Sequence, residues 1–224
     1  MHEFPAGRGG LERRIAMLCV AAAFSANAPA KELKFEQVFT DKGEPASLHY
    51  TAIFTSNGAE HRMEVWRHGQ LSIKRRTDDA IETYAFRKAG DAEFRMSILD
   101  MKKRIHTRID RTNLYRVGNF TNWFDLGHGL KHPLGDYRVT IGKTPDGAPM
   151  PLEACQWYDL NQNVGSTHVC WSARNHLPML IQAHDGTVLW RVATVDRRPI
   201  AAKVFEIRDE GFIRNDANED IERD

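Results

Sequence analysis

From Ser47 to Val195, short runs with an apolar residue at every second position recur about every ten residues, each bounded by turn-forming residues, and this rhythm restricts the chain to antiparallel β architecture. In the first run, Ser47 to Ser56, Leu48, Tyr50, Ala52 and Phe54 share one face, and the run ends at Asn57-Gly58, a pair that tolerates the positive φ of a tight hairpin. His61 to Trp66, Gln70 to Arg75, Ile81 to Arg87, Glu93 to Leu99 and Arg104 to Ile109 follow. After a break come Tyr137 to Ile141, Cys155 to Leu160, Thr167 to Ser172, Met179 to His184 and Val188 to Val195, which makes eleven predicted strands. Period two with one apolar side gives each strand a wet and a dry face. The connections are too short for parallel crossovers, so consecutive strands should pair as hairpins. A sheet of eleven strands does not stay flat, so the expected fold is mainly β: a curled antiparallel sheet.

The break from Asp110 to Gly135 reads as the cover of that sheet. Asp110 can cap a short helix over Arg111 to Val117, and Phe120, Trp123 and Phe124 fall at the i, i+3, i+4 spacing of a second helical face. Short helices there would act as a permanent plug or a movable lid, with plain core packing as the alternative.

The first thirty residues read as a secretory signal peptide. Arg8, Arg13 and Arg14 precede the apolar stretch Ile15 to Phe24, and small residues follow, with cleavage expected after Ala28 or Ala30. Ten apolar residues are too few to span about 30 Å of hydrocarbon. The expectation is a product that is periplasmic or secreted and does not span the membrane once cleaved. Cys19 would leave with the signal, and in an oxidising compartment the remaining pair, Cys155 and Cys170, is expected to form a disulfide. A functional thiol would need close His or Cys partners, and His168 alone does not make a site. With 31 Lys+Arg against 30 Asp+Glu, the formal charge of +1 gives no basic surface for nucleic acid.

An exported chain with this strand rhythm, mid-chain short helices and a late Cys pair resembles the periplasmic lipoprotein-carrier superfamily, the LolA, LolB and RseB-like group. The likeness is carried by the C-terminal third: Cys155-Gln156-Trp157-Tyr158, Cys170-Trp171-Ser172, Leu177-Pro178-Met179-Leu180-Ile181, Asp185-Gly186 and Val188-Leu189-Trp190. It implies an unclosed half-barrel holding a lipid or lipoprotein acyl chain in its hollow. On that reading residues 31–213 form a single domain, and 214–224 form a disordered acidic tail rich in Asp and Glu.

A concave face lined by Phe54, Val65, Ile73, Met96, Ile98 and Ile105 is too apolar to stay wet and must be filled by helices or by ligand. With Phe120, Trp123 and Phe124 from the cover, these are the candidate ligand-binding residues. Met63, Met96, Met101, Met150 and Met179 would suit chains of variable shape.

Other chemistry is thin. His128 and His132 have an H-x-x-x-H spacing, but Gly127, Gly129 and Pro133 point to a loop and to surface histidines. No nucleophile elbow, phosphate-binding glycine loop or C-x-x-C pair occurs. No catalytic residue, cofactor or metal ligand is therefore assigned. The basic runs Lys74-Arg75-Arg76 and Lys102-Lys103-Arg104 flank predicted strand ends, where they could meet anionic headgroups or an envelope protein partner, or only protect hairpin ends. Three readings stay open: a lipid-binding carrier or sensor, a regulatory or structural interaction domain with a filled core, and a hydrolase with histidines gathered in space.

Overall fold

The computed structural model describes residues 32–110 and 122–217. The expected signal peptide, the helix over 111–117, Phe120 and residues 218–224 lie outside them. The described chain is one sheet with little helix. A helical turn α1 (Phe35–Val38) precedes six strands: β1 (Leu48–Ser56), β2 (Ala59–His68), β3 (Ser72–Thr77), β4 (Ile81–Arg87), β5 (Phe94–Asp100) and β6 (Ile105–Asp110). Helix α2 (Trp123–His128) leads to β7 (Tyr137–Ile141), β8 (Gln156–Gln162), β9 (Gly165–Ser172), β10 (Leu177–Ala183) and β11 (Val188–Asp196). A 3₁₀ turn at Ala202–Phe205 and β12 (Ile213–Asp216) complete it.

All eleven predicted strands are present, because each carries the period-two pattern that one buried face demands. The strand order β12-β6-β5-β4-β3-β2-β1-β11-β10-β9-β8-β7 consists of two meanders joined along β1 and β11. The seam pairs Tyr50 with Val195, Ala52 with Val192 and Phe54 with Trp190, across a register shift between Thr51 and Ala52. Asn57 and Gly58 have φ of 51° and 74°, as the tight turn between β1 and β2 requires.

Two expectations need correction. The sheet has twelve strands, and it is mixed, because β12 pairs with β6 in parallel, Ile213 against Ile105. Residues 214–216, read as disordered tail, therefore belong to the sheet. After β11 the chain crosses the outer face, where Phe205 stacks on His68, and it arrives at the β6 edge running the same way as β11, so the last pairing is parallel.

The curl follows from ring contacts. The adjacent residues Trp123 and Phe124 reach Phe94 on β5, at 5.6 Å between centroids, and Trp171 on β9, at 6.1 Å. Those strands are seven places apart in the sheet, which at about 4.8 Å per place is roughly 34 Å if flat. Two neighbouring side chains touch both only if the sheet wraps around them, and the sheet does not close into a barrel. The main core lies inside this wrap: Leu48, Tyr50, Val65, Ile73 and Met96 from one meander, and Leu160, Val169, Met179 and Trp190 from the other. A smaller cluster of Trp157, Cys170 and Leu180 lies on the outer face, where Cys155 and Cys170 form the disulfide with Cα atoms 5.3 Å apart.

Candidate functional site

Helix α2 occupies only part of the hollow. Its start is fixed by Asn122, whose Oδ1 accepts from the Phe124 N–H at 2.9 Å, and its end by Gly129, at φ +66°. Gly127 lies so close to the floor that an added Cβ would stand 3.0 Å from Ile73 Cδ1 and 3.1 Å from Arg67 Cδ. At Gly129 an added Cβ would fall 2.5 Å from the Trp190 ring. The helix is thus pressed onto β2, β3 and β11, and Tyr50 fastens it by donating to Gly127 O at 3.0 Å.

This seating places most of the predicted ligand-binding residues elsewhere. Val65, Ile73 and Met96 are sealed in the core, as are Trp123 and Phe124. Ile98 packs against that core, and Ile105 stands beside β12 at the sheet edge. Phe120 lies outside the described residues. Only Phe54, of the predicted set, lines the space that remains. Of the methionines, Met63 lines it too, Met96 and Met179 are core, and Met101 and Met150 are exposed.

That space is a cavity of about 530 Å³ beyond the end of α2. Its floor crosses the seam: Met63 on β2, Phe54 on β1, Leu189 and Trp190 on β11, Ile181 on β10, and Thr167 and Leu160 on β9 and β8. Its roof is the chain leaving α2, from Gly129 to His132, and the rim carries Leu134 and Val164, 94% and 93% exposed. One charged side chain rises from the floor, Arg75 on β3. The basic run Lys74-Arg75-Arg76, expected at a strand end, lies inside β3, so alternation splits it. Lys74 and Arg76 point outward over the Trp66 ring, at 5.4 and 5.7 Å, and Arg75 points inward beside Val65 and Thr83. Burial pushes the Arg75 guanidinium below its ordinary pKa. The second run, Lys102-Lys103-Arg104, is an exposed turn between β5 and β6.

On the other side of α2, a buried polar lock ties the cover to both meanders. Arg67 is 1% exposed and donates from Nη2 to Asn175 O at 2.6 Å and from Nη1 to His176 O at 3.3 Å. Nη1 also stands 3.2 Å from Glu44 Oε2, and Gln70 donates to Glu44 Oε1 at 2.6 Å. His128 Nε2 lies 3.0 Å from the same Oε2, with Nδ1 2.8 Å from Phe124 O. Burial, and then the Arg67 charge, hold His128 well below the ordinary imidazole range, so its ring is neutral. A carbonyl oxygen only accepts, so Nδ1 is the protonated nitrogen toward Phe124 O. Burial raises the pKa of the Glu44 carboxyl against the pull of Arg67.

His128, expected on a loop at the surface, is therefore fully buried and helical. His132 is half-exposed and bonded to Asp125, its Nδ1 2.9 Å from Oδ1. The reason is local: the Asn122 cap starts a helix, and Gly127 and Gly129, read as loop formers, allow close approach and a left-handed stop instead. Sequence reasoning missed Glu44, Arg67 and Asn175, and took Arg75 as part of a basic run at a strand end. The available signal was parity, since Arg67 continues the apolar face of Met63 and Val65, and Arg75 that of Ile73.

Among the described residues, no group of three or more His, Cys, Asp or Glu could hold a metal ion, and no helix is long and apolar enough to cross a membrane. No family model matches the chain, and no curated protein matches it.

Proposed function

We propose that the protein binds the apolar chain of a lipid, an acyl group or a lipoprotein in the hollow of its curled sheet, as a carrier or sensor of the periplasm or the secreted space. The observation that carries this is the cavity itself: about 530 Å³, floored by Phe54, Met63, Ile181 and Trp190, and left open by a helix that fills only its own part of the wrap. Cavities of a few hundred Å³ with apolar walls and few polar groups are the usual sites of small-molecule ligands. Leu134 and Val164, apolar and almost fully exposed at the rim, are side chains that a bound chain would cover. The likeness of the C-terminal third to lipoprotein carriers and the basic, apolar and small-residue order of residues 1–30 support the cell-envelope setting.

The test is extraction of the purified protein with organic solvent and mass spectrometry of the extract, together with titration of an apolar fluorescent probe. Copurifying acyl lipid and saturable probe binding are expected. Thr167→Trp, which places a large side chain on the cavity floor, should abolish probe binding while leaving the melting temperature within a few degrees. Absence of both lipid and probe binding would leave the interaction-domain reading in its place.

A further inference from the structure

Resting on the reading above, the geometry points to a single-chain glycerophospholipid as the ligand, with its tail inward toward β2 and its phosphate at the mouth beside Lys131. The path of the roof gives the cavity its direction. Gly127 is pressed against Ile73 on β3, Gly129 against Trp190 on β11, and the chain then reaches β7 at Tyr137. The residues between Gly129 and Tyr137 therefore pass over β10, β9 and β8. Lys131 and Leu134 belong to that half of the cavity, together with Val164 at the β8–β9 turn.

The two halves of the floor differ in chemistry. Met63, Phe54, Leu189 and Trp190, on β2, β1 and β11, present apolar surface, and the one polar group among them, the indole N–H, donates away to Pro178 O at 2.9 Å. On the β8–β9 hairpin the lining includes Gln162 and Thr167, both half-buried. Thr167 stands opposite Leu160, and Gln162 is its diagonal neighbour, so an amide and a hydroxyl share one corner of the wall. Lys131 is exposed on the roof, and its ammonium forms no hydrogen bond or ion pair among the described residues. The one acid of the lining, Asp125, is engaged by His132, whose Nδ1 and backbone N–H stand 2.9 and 3.3 Å from Oδ1. Arg75, at the β3 end, is already engaged within the protein and takes no part.

From the inside outward the cavity thus offers an apolar wall, then half-buried hydrogen-bonding groups, then an exposed cation. That is the order of an acyl tail, a glycerol ester and a phosphate. A fatty acid carries its charge directly on the chain and would leave Gln162 and Thr167 facing methylenes, at the cost of the hydrogen bonds they make to water. The volume of about 530 Å³ lies within the roughly 300–1,000 Å³ that enclose a drug-sized ligand, which suits one chain and leaves the second chain of a diacyl lipid outside.

The experiment is displacement of an apolar fluorescent probe from the full protein by monopalmitoyl glycerophosphate, monopalmitoyl glycerol and palmitic acid, each below its micelle concentration at neutral pH and low salt. The glycerophosphate is expected to bind about tenfold more tightly than either of the others, the low end for a hydrogen bond to a charged group. The advantage should shrink as salt is raised, because Lys131 stands in water. Lys131→Ala should remove the advantage over monopalmitoyl glycerol, and Lys131→Arg should keep it. With glycerophosphate labelled at both ends, a water-soluble paramagnetic agent should relax the glycerol carbons and spare the terminal methyl. Equal binding of glycerophosphate and monoacylglycerol would overturn the assignment and leave the apolar hollow intact, as would palmitic acid binding as tightly as the glycerophosphate. An advantage that survives Lys131→Ala would place the charge contact elsewhere and also overturn it. If the probe binds and none of the three lipids displaces it, the assignment alone fails; if the probe itself does not bind, the proposed function fails with it.

Discussion

Arg67 and His128 show what a buried polar residue costs and what it secures. The Arg67 guanidinium is held by two backbone carbonyls of the β9–β10 turn and by Glu44, so the arginine joins β2, the loop before β1 and the second meander at one point. Removing one member of such a set leaves the others buried without their partner, at about 3 to 5 kcal/mol. Arg67→Met should lower the unfolding free energy by that amount in urea titration, and more than Arg198→Met, whose partner Asp196 lies on the surface. For His128 the sign is set by its depressed folded pKa. Below the ordinary value of 6.5 the unfolded imidazole takes up a proton that the buried one refuses, so its contribution to stability is full above that pH and fades as the pH falls toward the folded value. The stability difference between wild type and His128→Gln should therefore be largest at pH 7 to 8 and shrink steadily toward pH 5, measured by denaturant unfolding across that range.

At the scale of the element, α2 is a short helix held by its ends and by what lies beneath it. Six residues do not make a stable helix alone. Gly129 combines a left-handed backbone with the nearest approach to Trp190. Gly129→Ala should cost about 1 to 3 kcal/mol from strain and overpacking, and should shift the emission of the Trp190 indole, read by thermal melts and by intrinsic fluorescence against a Trp190→Phe background. The same helix explains why the cavity was poorly legible. Alternation correctly puts Val65, Ile73 and Met96 on the inner face, yet says nothing about which stretch of that face a cover will press upon. That depends on two glycines and an asparagine cap whose effect is three-dimensional. Arg75 was hidden differently, since three basic residues in a row look like a surface run until the strand is known to extend through them.

For the whole molecule, the strands were readable because each obeys a local rule, whereas their order was not. The pairing of β1 with β11 leaves no trace in spacing, and β12 is four exposed residues whose place is decided by the path of the chain across the outer face. The disulfide lies apart from the cavity, in the outer cluster with Trp157 and Leu180, and bridges cysteines 15 residues apart. Its removal in Cys155→Ala/Cys170→Ala should lower stability by about 3 kcal/mol on the chain-entropy view while ligand affinity stays within twofold, as calorimetry and probe titration would show.

The seam has a kinetic consequence. Each meander can assemble from neighbouring hairpins within its own stretch of chain, but β1 keeps a bare edge until β11, near the far end of the polypeptide, reaches it. Closure across so long a loop is slow, and it leaves a half-built molecule with an adhesive flank beside its greasy interior. The vulnerable moment in the life of this protein is therefore the interval before its last strands dock, when a chaperone that shields that flank would have most to do.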